Sequence, residues 1–394
     1  MSALSVSPTR VLVNESDPIL GELSQVPTAP REILDAFSRV PDPRKPRGIR
    51  HTVAAIIGIA AAAVISGARS FTAIAEWAHD VPTEHLTPLG VNDAVPCEST
   101  VRRTLELLDP DIFDSIVNTW MMLSFHSIEG QRVIAADGKT VRGAVDVDRT
   151  QPHLLAAMDH NTGVVIGQVE VGAKTNEIPM LTALLDPIDI AGTVITLDAM
   201  HTQKATVDYI VGRGGHFVMT VKNNQPTLFR ALKRLPWKQI GIHRSSTDTA
   251  RGRRITRTVA ACEVPGGFDF PHIGQVVRIR RTVTVKGKKT IEVAYLISDL
   301  GMIEAQPATI AGWVRGHWGI ENKLHYVRDV TFGEDASRIR TGSGPRVMAT
   351  LRNLAIGLLR ACGHTNIAEA VRYYARQPDR PITLLLTSGK ATLP

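Results

Sequence analysis

The sequence predicts an α/β protein: a mixed sheet flanked by helices, preceded by an all-helical domain and interrupted by a β-rich insertion. Three observations carry this. Residues 31 to 127 keep a helical period. At Arg132 the pattern turns to short apolar runs bounded by glycine or aspartate, which then alternate with helical stretches. Between about 226 and 305, arginine-rich runs of period two break that alternation.

The chain has 394 residues, 43% of them hydrophobic, enough for a large core in two or three domains. Residues 1–29 are rich in Ser, Pro and Thr without periodicity and read as a flexible arm. A helical domain follows over 30–127. Its Ala-rich run, Val53 to Ile65, is shorter than the roughly 20 residues a bilayer span needs, so it reads as a buried helix and the protein as having no membrane partner. Ser99 and Thr100 stand as N-caps before "VRRTLELL", with Arg102 and Arg103 in the first turn. That helix and the one before it read either as a helix-turn-helix on DNA or as a plain packing module. The long loop between them favours packing.

From residue 128 to 362 the order is that of a mixed sheet. "RVIAADG", "HLLAAMD" and "GVVIGQVEVG" read as a meander of strands. "NEIPMLTALLDPI" and "QKATVDYIVGRG" read as helices, alternating with the strands "GTVITLDAM" and "GHFVMTVK". In the insertion, "RRITRTVAACEV", "QVVRIRRTVTV" and "KKTIEVAYLIS" read as antiparallel strands. "ATIAGWVRGHWGIENKLHYVRDV" reads as one long helix, and residues 363–394 as a closing helix and tail.

Charge points to a polyanion. The net charge is +7, but residues 213–289 alone hold 17 Lys and Arg against three acids. So one-sided a block suits nucleic acid. The three cysteines, Cys97, Cys262 and Cys362, form neither a zinc pattern nor a disulfide framework, which fits a reducing cytosol. No secretory leader pattern opens the chain.

Two acids close apolar strands, Asp137 in "VIAAD" and Asp198 in "VITLD". At the carboxyl edge of neighbouring strands they form a pair that is costly unless a cation neutralises it. A third acid comes from the long helix. On an α-helical wheel His317, His325 and Arg328 fall within about 40° of Glu321, beside an apolar stripe of Trp313, Ile320, Leu324 and Val327. The basic neighbours suit a phosphate or hold the carboxylate. Three carboxylates suit phosphoryl transfer with two hard divalent ions. Two other readings stand: a single transition metal on His317, Glu321 and His325, or a solvated charged face.

In order and spacing, "AADGKTVRGA", "TLDAMHTQK", "FVMTVKNNQPTL" and "GHWGIENKLHYVRDVTFGEDASRIRTG" resemble DDE transposases of bacterial insertion sequences, in the branch that includes the H-repeat-associated proteins. The resemblance covers residues 31 to 362. It implies a ribonuclease-H-like fold with a β-rich insertion before the last acid, and an accompanying N-terminal helical domain. It implies Asp137, Asp198 and Glu321 as catalytic and metal-binding residues for two Mg²⁺ or Mn²⁺ ions, with Glu334 and Asp335 structural. It implies cleavage of DNA at the element ends and strand transfer into target DNA, by a homodimer on DNA in the nucleoid of a bacterial cytoplasm. DNA contacts are expected from Lys139, Arg142, Lys222, Asn224, Gln225, Arg253, Arg254, His317, His325 and Arg328. Asn322 is expected to support Glu321, and Trp318 to pack. One departure is Ile255, which stands where relatives tend to carry an acid in a Gly-Arg-x-Glu-like element. The alternatives are a catalytically silent DNA-binding derivative, or a nuclease on the same fold without strand transfer.

Overall fold

A computed structural model describes residues 32–389 apart from 126–129, 146–148, 173–174 and 265–267. The arm expected over 1–29 lies outside the described residues. The five predicted strands form: β1 (Val133–Thr140), β2 (His153–Asp159), β3 (Val165–Val171), β4 (Val194–Leu197) and β5 (His216–Val221). β1, β2 and β3 are an antiparallel meander, and β4 and β5 run parallel to β1. The spatial order 3-2-1-4-5 is the ribonuclease-H-like arrangement. β4 is buried along its whole length, as a parallel strand covered on both faces must be.

The insertion holds four strands where three are read from sequence: β6 (Arg244–Ala250), β7 (Arg253–Glu263), β8 (Gln275–Val285) and β9 (Lys288–Ser298). β9 pairs antiparallel with β5, from Val218 opposite Ser298 to Val221 opposite Tyr295. The insertion is therefore continuous with the core, giving one nine-stranded sheet. Two tight turns make its hairpins. Arg251-Gly252 and Lys286-Gly287 take positive φ at both residues, the twist-matched geometry of two-residue loops.

Helices cover the meander end. Val53–Ile65, with Thr52 Oγ1 accepting from the Ala55 amide at 3.1 Å, packs on the helices Gly344–Ala361 and Asp379–Leu386. Pro110–Ser124, capped by Asp109, lies on β3. The N-terminal helices thus share one apolar core with the sheet. The helix read as starting after Ser99 and Thr100 begins earlier, at Glu98, with Cys97 in the cap position. Arg102 there pairs with Glu98 and Glu106 of its own helix, at 3.1 and 3.3 Å. Among the described residues no helix is long and apolar enough to cross a membrane.

One buried ion cluster ties these parts together. Glu334 is fully buried and takes two bonds of 2.9 Å from Arg328 and one of 2.9 Å from Arg352 of the Gly344–Ala361 helix. Lys139 of β1 lies 3.9 Å away. Burial alone would push the Glu334 carboxyl up, but the charges of Arg328 and Arg352 outweigh it and hold it at about 2. Breaking such a cluster leaves uncompensated buried charge. Glu334→Ala should cost about 3–5 kcal/mol in urea unfolding, and a loss under about 1 kcal/mol would show that the site relaxes or hydrates. The folded carboxyl titrates below its ordinary 4.5, so its contribution is present above that value and fades as pH falls toward 2.

Candidate active site

The parallel register between β1 and β4 pairs Val133 with Val194, Ile134 with Ile195 and Ala135 with Thr196. Continued past its last pair, the same offset points Asp137 toward Asp198, whose charge is felt at the Asp137 carboxyl. β4 ends at Leu197, and Asp198 caps a 3₁₀ turn, Ala199–His201, its Oδ1 accepting from the Met200 amide at 2.9 Å. Asp137 Oδ1 accepts from the Gly138 amide at 3.0 Å.

Glu321 arrives from the long helix, which is not a uniform α-helix. Pro307–Gly319 is α, Ile320–His325 is a π turn and Tyr326–Val330 is α again. A π turn holds more residues than an α turn, so a wheel of 100° per residue does not carry across it. Of the four side chains expected on one stripe, Glu321 and His325 stay together while His317 and Arg328 turn to other partners. Glu321 is exposed toward Asp137. His325 is buried between the two acids, with Nδ1 donating to Glu321 Oε2 at 3.0 Å and lying 3.9 Å from Asp137 Oδ2. Asp137, Glu321 and His325 each present a ligand atom within 4.8 Å of the others. His317 docks instead on Thr196 of β4, Nδ1 to Oγ1 3.1 Å, and His160 reaches the same hydroxyl at 3.1 Å. Arg328 has turned fully inward to Glu334.

Electrostatics follow the packing. Burial pushes the Asp137 carboxyl up; His325 opposes this, while Glu177 and Asp198 add to it. The hydrogen bond from His325 holds Glu321 below the usual range. Burial lowers His317, and it lowers His160 to about 4.

The Transposase DDE domain model matches residues 128–358, and a domain described as DDE_Tnp_1-associated matches residues 34–121. The chain belongs to the DDE transposase family. It is 31% identical to "Putative transposase YncI" of Escherichia coli O157:H7 over 348 residues, 84% of this chain and 88% of that protein. It is 30% identical to "H repeat-associated putative transposase YhhI" of Escherichia coli K12 over 346 residues, 84% and 90% of the two. Among solved structures, a piggyBac transposase synaptic complex with hairpin DNA aligns at TM-score 0.41 and 12% identity, over 91% of this chain and 79% of that one.

The DDE transposase distributes its expected DNA contacts unevenly. Arg328, 0% exposed, has no face to offer a phosphate. Lys139 is buried, with Nζ 2.6 Å from Asp329 and 3.5 Å from Asp335. His325 is enclosed between acids, and His317 is held on Thr196. These four hold structure rather than offer a free surface, because crowded carboxylates need internal counter-charges and donors. Asn224 donates to the Ala199 carbonyl, and Gln225 donates to the Thr202 carbonyl at 2.9 Å, so both bind the turn that carries Asp198. Arg142, Lys222, Arg253 and Arg254 are exposed. The last two sit at the hairpin tips of the insertion, with Arg253 opposite Val285. Asn322 donates to the Trp318 carbonyl at 2.9 Å and not to Glu321, while Trp318 is 65% exposed rather than packed.

Glu177 is a neighbour of the site that the sequence reading missed. It follows Asn176, which caps the helix Glu177–Leu185, and the signal was "TNEIP", an acid just inside a capped helix start. Its carboxylate takes His153 Nε2 at 2.7 Å and His201 Nε2 at 3.3 Å. Burial raises it, but these two bonds outweigh that and hold it at about 2.

Removing the histidine between the acids should be visible directly. In His325→Ala the Glu321 carboxyl should titrate at higher pH than in the parent, read by carboxyl NMR. An unchanged midpoint would show that another group holds the glutamate.

Proposed function

We propose that this transposase cuts DNA at the ends of its element and joins the freed 3′-hydroxyl to target DNA, with Asp137, Asp198 and Glu321 as metal ligands for two Mg²⁺ or Mn²⁺ ions. The observation that carries this is Glu321 in ligand reach of Asp137, with Asp198 following the end of the neighbouring strand β4 and near enough for its charge to act on Asp137. The donor set fits hard cations: the Asp137 and Glu321 carboxylates come within ligand reach of each other, and Asp137 is desolvated beside the like charge of Asp198. Bound divalent ions lower the pKa of the attacking water or hydroxyl and stabilise the leaving oxyanion. His325 keeps Glu321 ionised and aimed at Asp137. The caps on Asp198 and Asp137 fix two oxygens before substrate arrives, so positioning is prepared in advance.

DNA is the substrate class the exposed surface favours. A groove of about 660 Å³ runs between the insertion strands and the Pro307–Gly319 helix; Arg244, Arg315 and Trp318 line it, with Arg257 paired to Asp248 and Arg281 to Glu292, itself a lining residue. Its lining includes Trp318 and Asn322, which flank Glu321 in the sequence. The basic tips at Arg253 and Arg254 extend the positive surface along arms of eleven residues, roughly 35 Å long. Joining two element ends in one reaction requires two active sites, so the working form is a dimer on DNA.

The test is cleavage of a labelled duplex carrying the element's own end, with Mn²⁺. Asp137→Ala and Glu321→Ala should bind it yet cut at least about 10²-fold more slowly. Cutting at the parental rate by either variant would refute the ligand assignment, and cutting without joining would point to a nuclease. Salt titrations separate the basic residues. Arg253→Ala and Arg254→Ala should each reduce the slope of log K against log salt by about 1, whereas Arg328→Ala should lower the melting temperature and leave the slope alone.

A further inference from the structure

A chain of hydrogen bonds crosses the β1 end of the site. Thr140 Oγ1 of β1 meets His153 Nδ1 of β2 at 2.8 Å, His153 Nε2 meets Glu177 Oε1 at 2.7 Å, and Glu177 Oε2 meets His201 Nε2 at 3.3 Å. His201 closes the 3₁₀ turn that begins at Asp198. The chain thus links the strand of Asp137 to the turn of Asp198 through one glutamate. It passes directly over Gly138, the residue after Asp137. A Cβ there would collide with the Glu177 carboxylate and the His153 ring, so glycine is what lets the chain close at this place. His201 is buried, and its Nδ1 has no hydrogen-bond partner, so Glu177 is its one polar anchor among the described residues. At the other side of the same turn, the Asn224 and Gln225 amides hold Ala199 and Thr202 to the loop after β5.

We propose that Glu177 is a positioning residue: by engaging His153 and His201 together it fixes the Asp198 turn against β1 and sets the spacing of Asp137 and Asp198 for the metal ions. It does not ligate the ions and does not touch DNA. This rests on the assignment of the acids as metal ligands. Outer groups that orient metal ligands change affinity by about 10–100-fold when removed. The role depends on reach. Glu177→Gln keeps the length, and the free Nδ1 of His201 lets that ring move its proton and accept from the amide at Nε2. Glu177→Asp keeps the charge but is one methylene too short to span both rings.

The experiment is Mn²⁺ binding to the full chain without DNA, followed by electron paramagnetic resonance, in the parent, Asp137→Asn, and Glu177→Gln, Glu177→Asp and Glu177→Ala. Melting temperature and duplex affinity are measured alongside. The expected result is binding lost in Asp137→Asn, weakened about 10–100-fold in Glu177→Asp and Glu177→Ala, and close to the parent in Glu177→Gln, with duplex affinity unchanged. Parental affinity in Glu177→Ala overturns the proposal. So does retention in Glu177→Asp with loss in Glu177→Gln, which would make charge, not reach, the working property. If Glu177→Ala fails to fold, the Asp and Gln pair decides alone. If the parent and Asp137→Asn bind alike, the ligand assignment itself fails, and the proposal with it.

Discussion

The carboxylate of Glu334, enclosed by Arg328 and Arg352, is the constraint on which the site depends. Arg328 belongs to the helix that delivers Glu321, and Arg352 to a helix of the shared apolar core. Lys139, two residues beyond Asp137 on β1, is held beside the same carboxylate and bonds Asp329 of the Glu321 helix. Strand β1, the helix carrying Glu321 and the helical layer therefore meet at one buried point. Such clusters contribute little net stability against an apolar replacement, because desolvation cancels most of the attraction. Their effect is geometric: oppositely charged groups that must find each other leave few other ways to pack.

The π turn acts together with that point. It lets Glu321 face Asp137 while Arg328, seven residues later, faces the interior. A continuous α-helix would keep both on one side. The turn therefore separates two groups that the sequence writes on a single stripe, Glu321 facing Asp137 and Arg328 facing the core. Basic residues follow the same division. Those near the acids are committed to internal partners, while Arg253 and Arg254 at the hairpin tips are exposed and, in the groove, Arg257 and Arg281 pair with the strand acids Asp248 and Glu292.

Much of the frame is legible in the sequence for plain reasons. β1 and β4 contain apolar runs that stop at an aspartate, and Lys286-Gly287 can hardly be anything but a hairpin turn. The acids follow from where those runs stop, although strand β1 itself continues past Asp137 to Thr140. Other features leave weak marks. An i→i+5 turn has no residue signature, so a helical wheel that rightly sets His325 beside Glu321 assigns Arg328 to the wrong surroundings. Lys139 looks like a free cation because its partners, Asp329 and Asp335, are nearly 200 residues away in sequence. Glu177 is one polar residue at a helix start, and only the fold brings two histidines to it. β6, "RSSTDTA", has no apolar alternation, although the Arg251-Gly252 turn beside it marks a hairpin with a partner still to be found.

That unmarked strand has a consequence beyond this site. Joining the insertion to the core moves the open edge of the sheet from β5 out to β6, where backbone amides and carbonyls face solvent unpaired. An apolar strand there would invite the edge of another molecule and start a fibre. Six of its seven residues are exposed and none is a large hydrophobe, so a foreign strand gains almost no burial by docking. The polarity that conceals β6 from a pattern search also makes this open edge a poor template for a foreign strand.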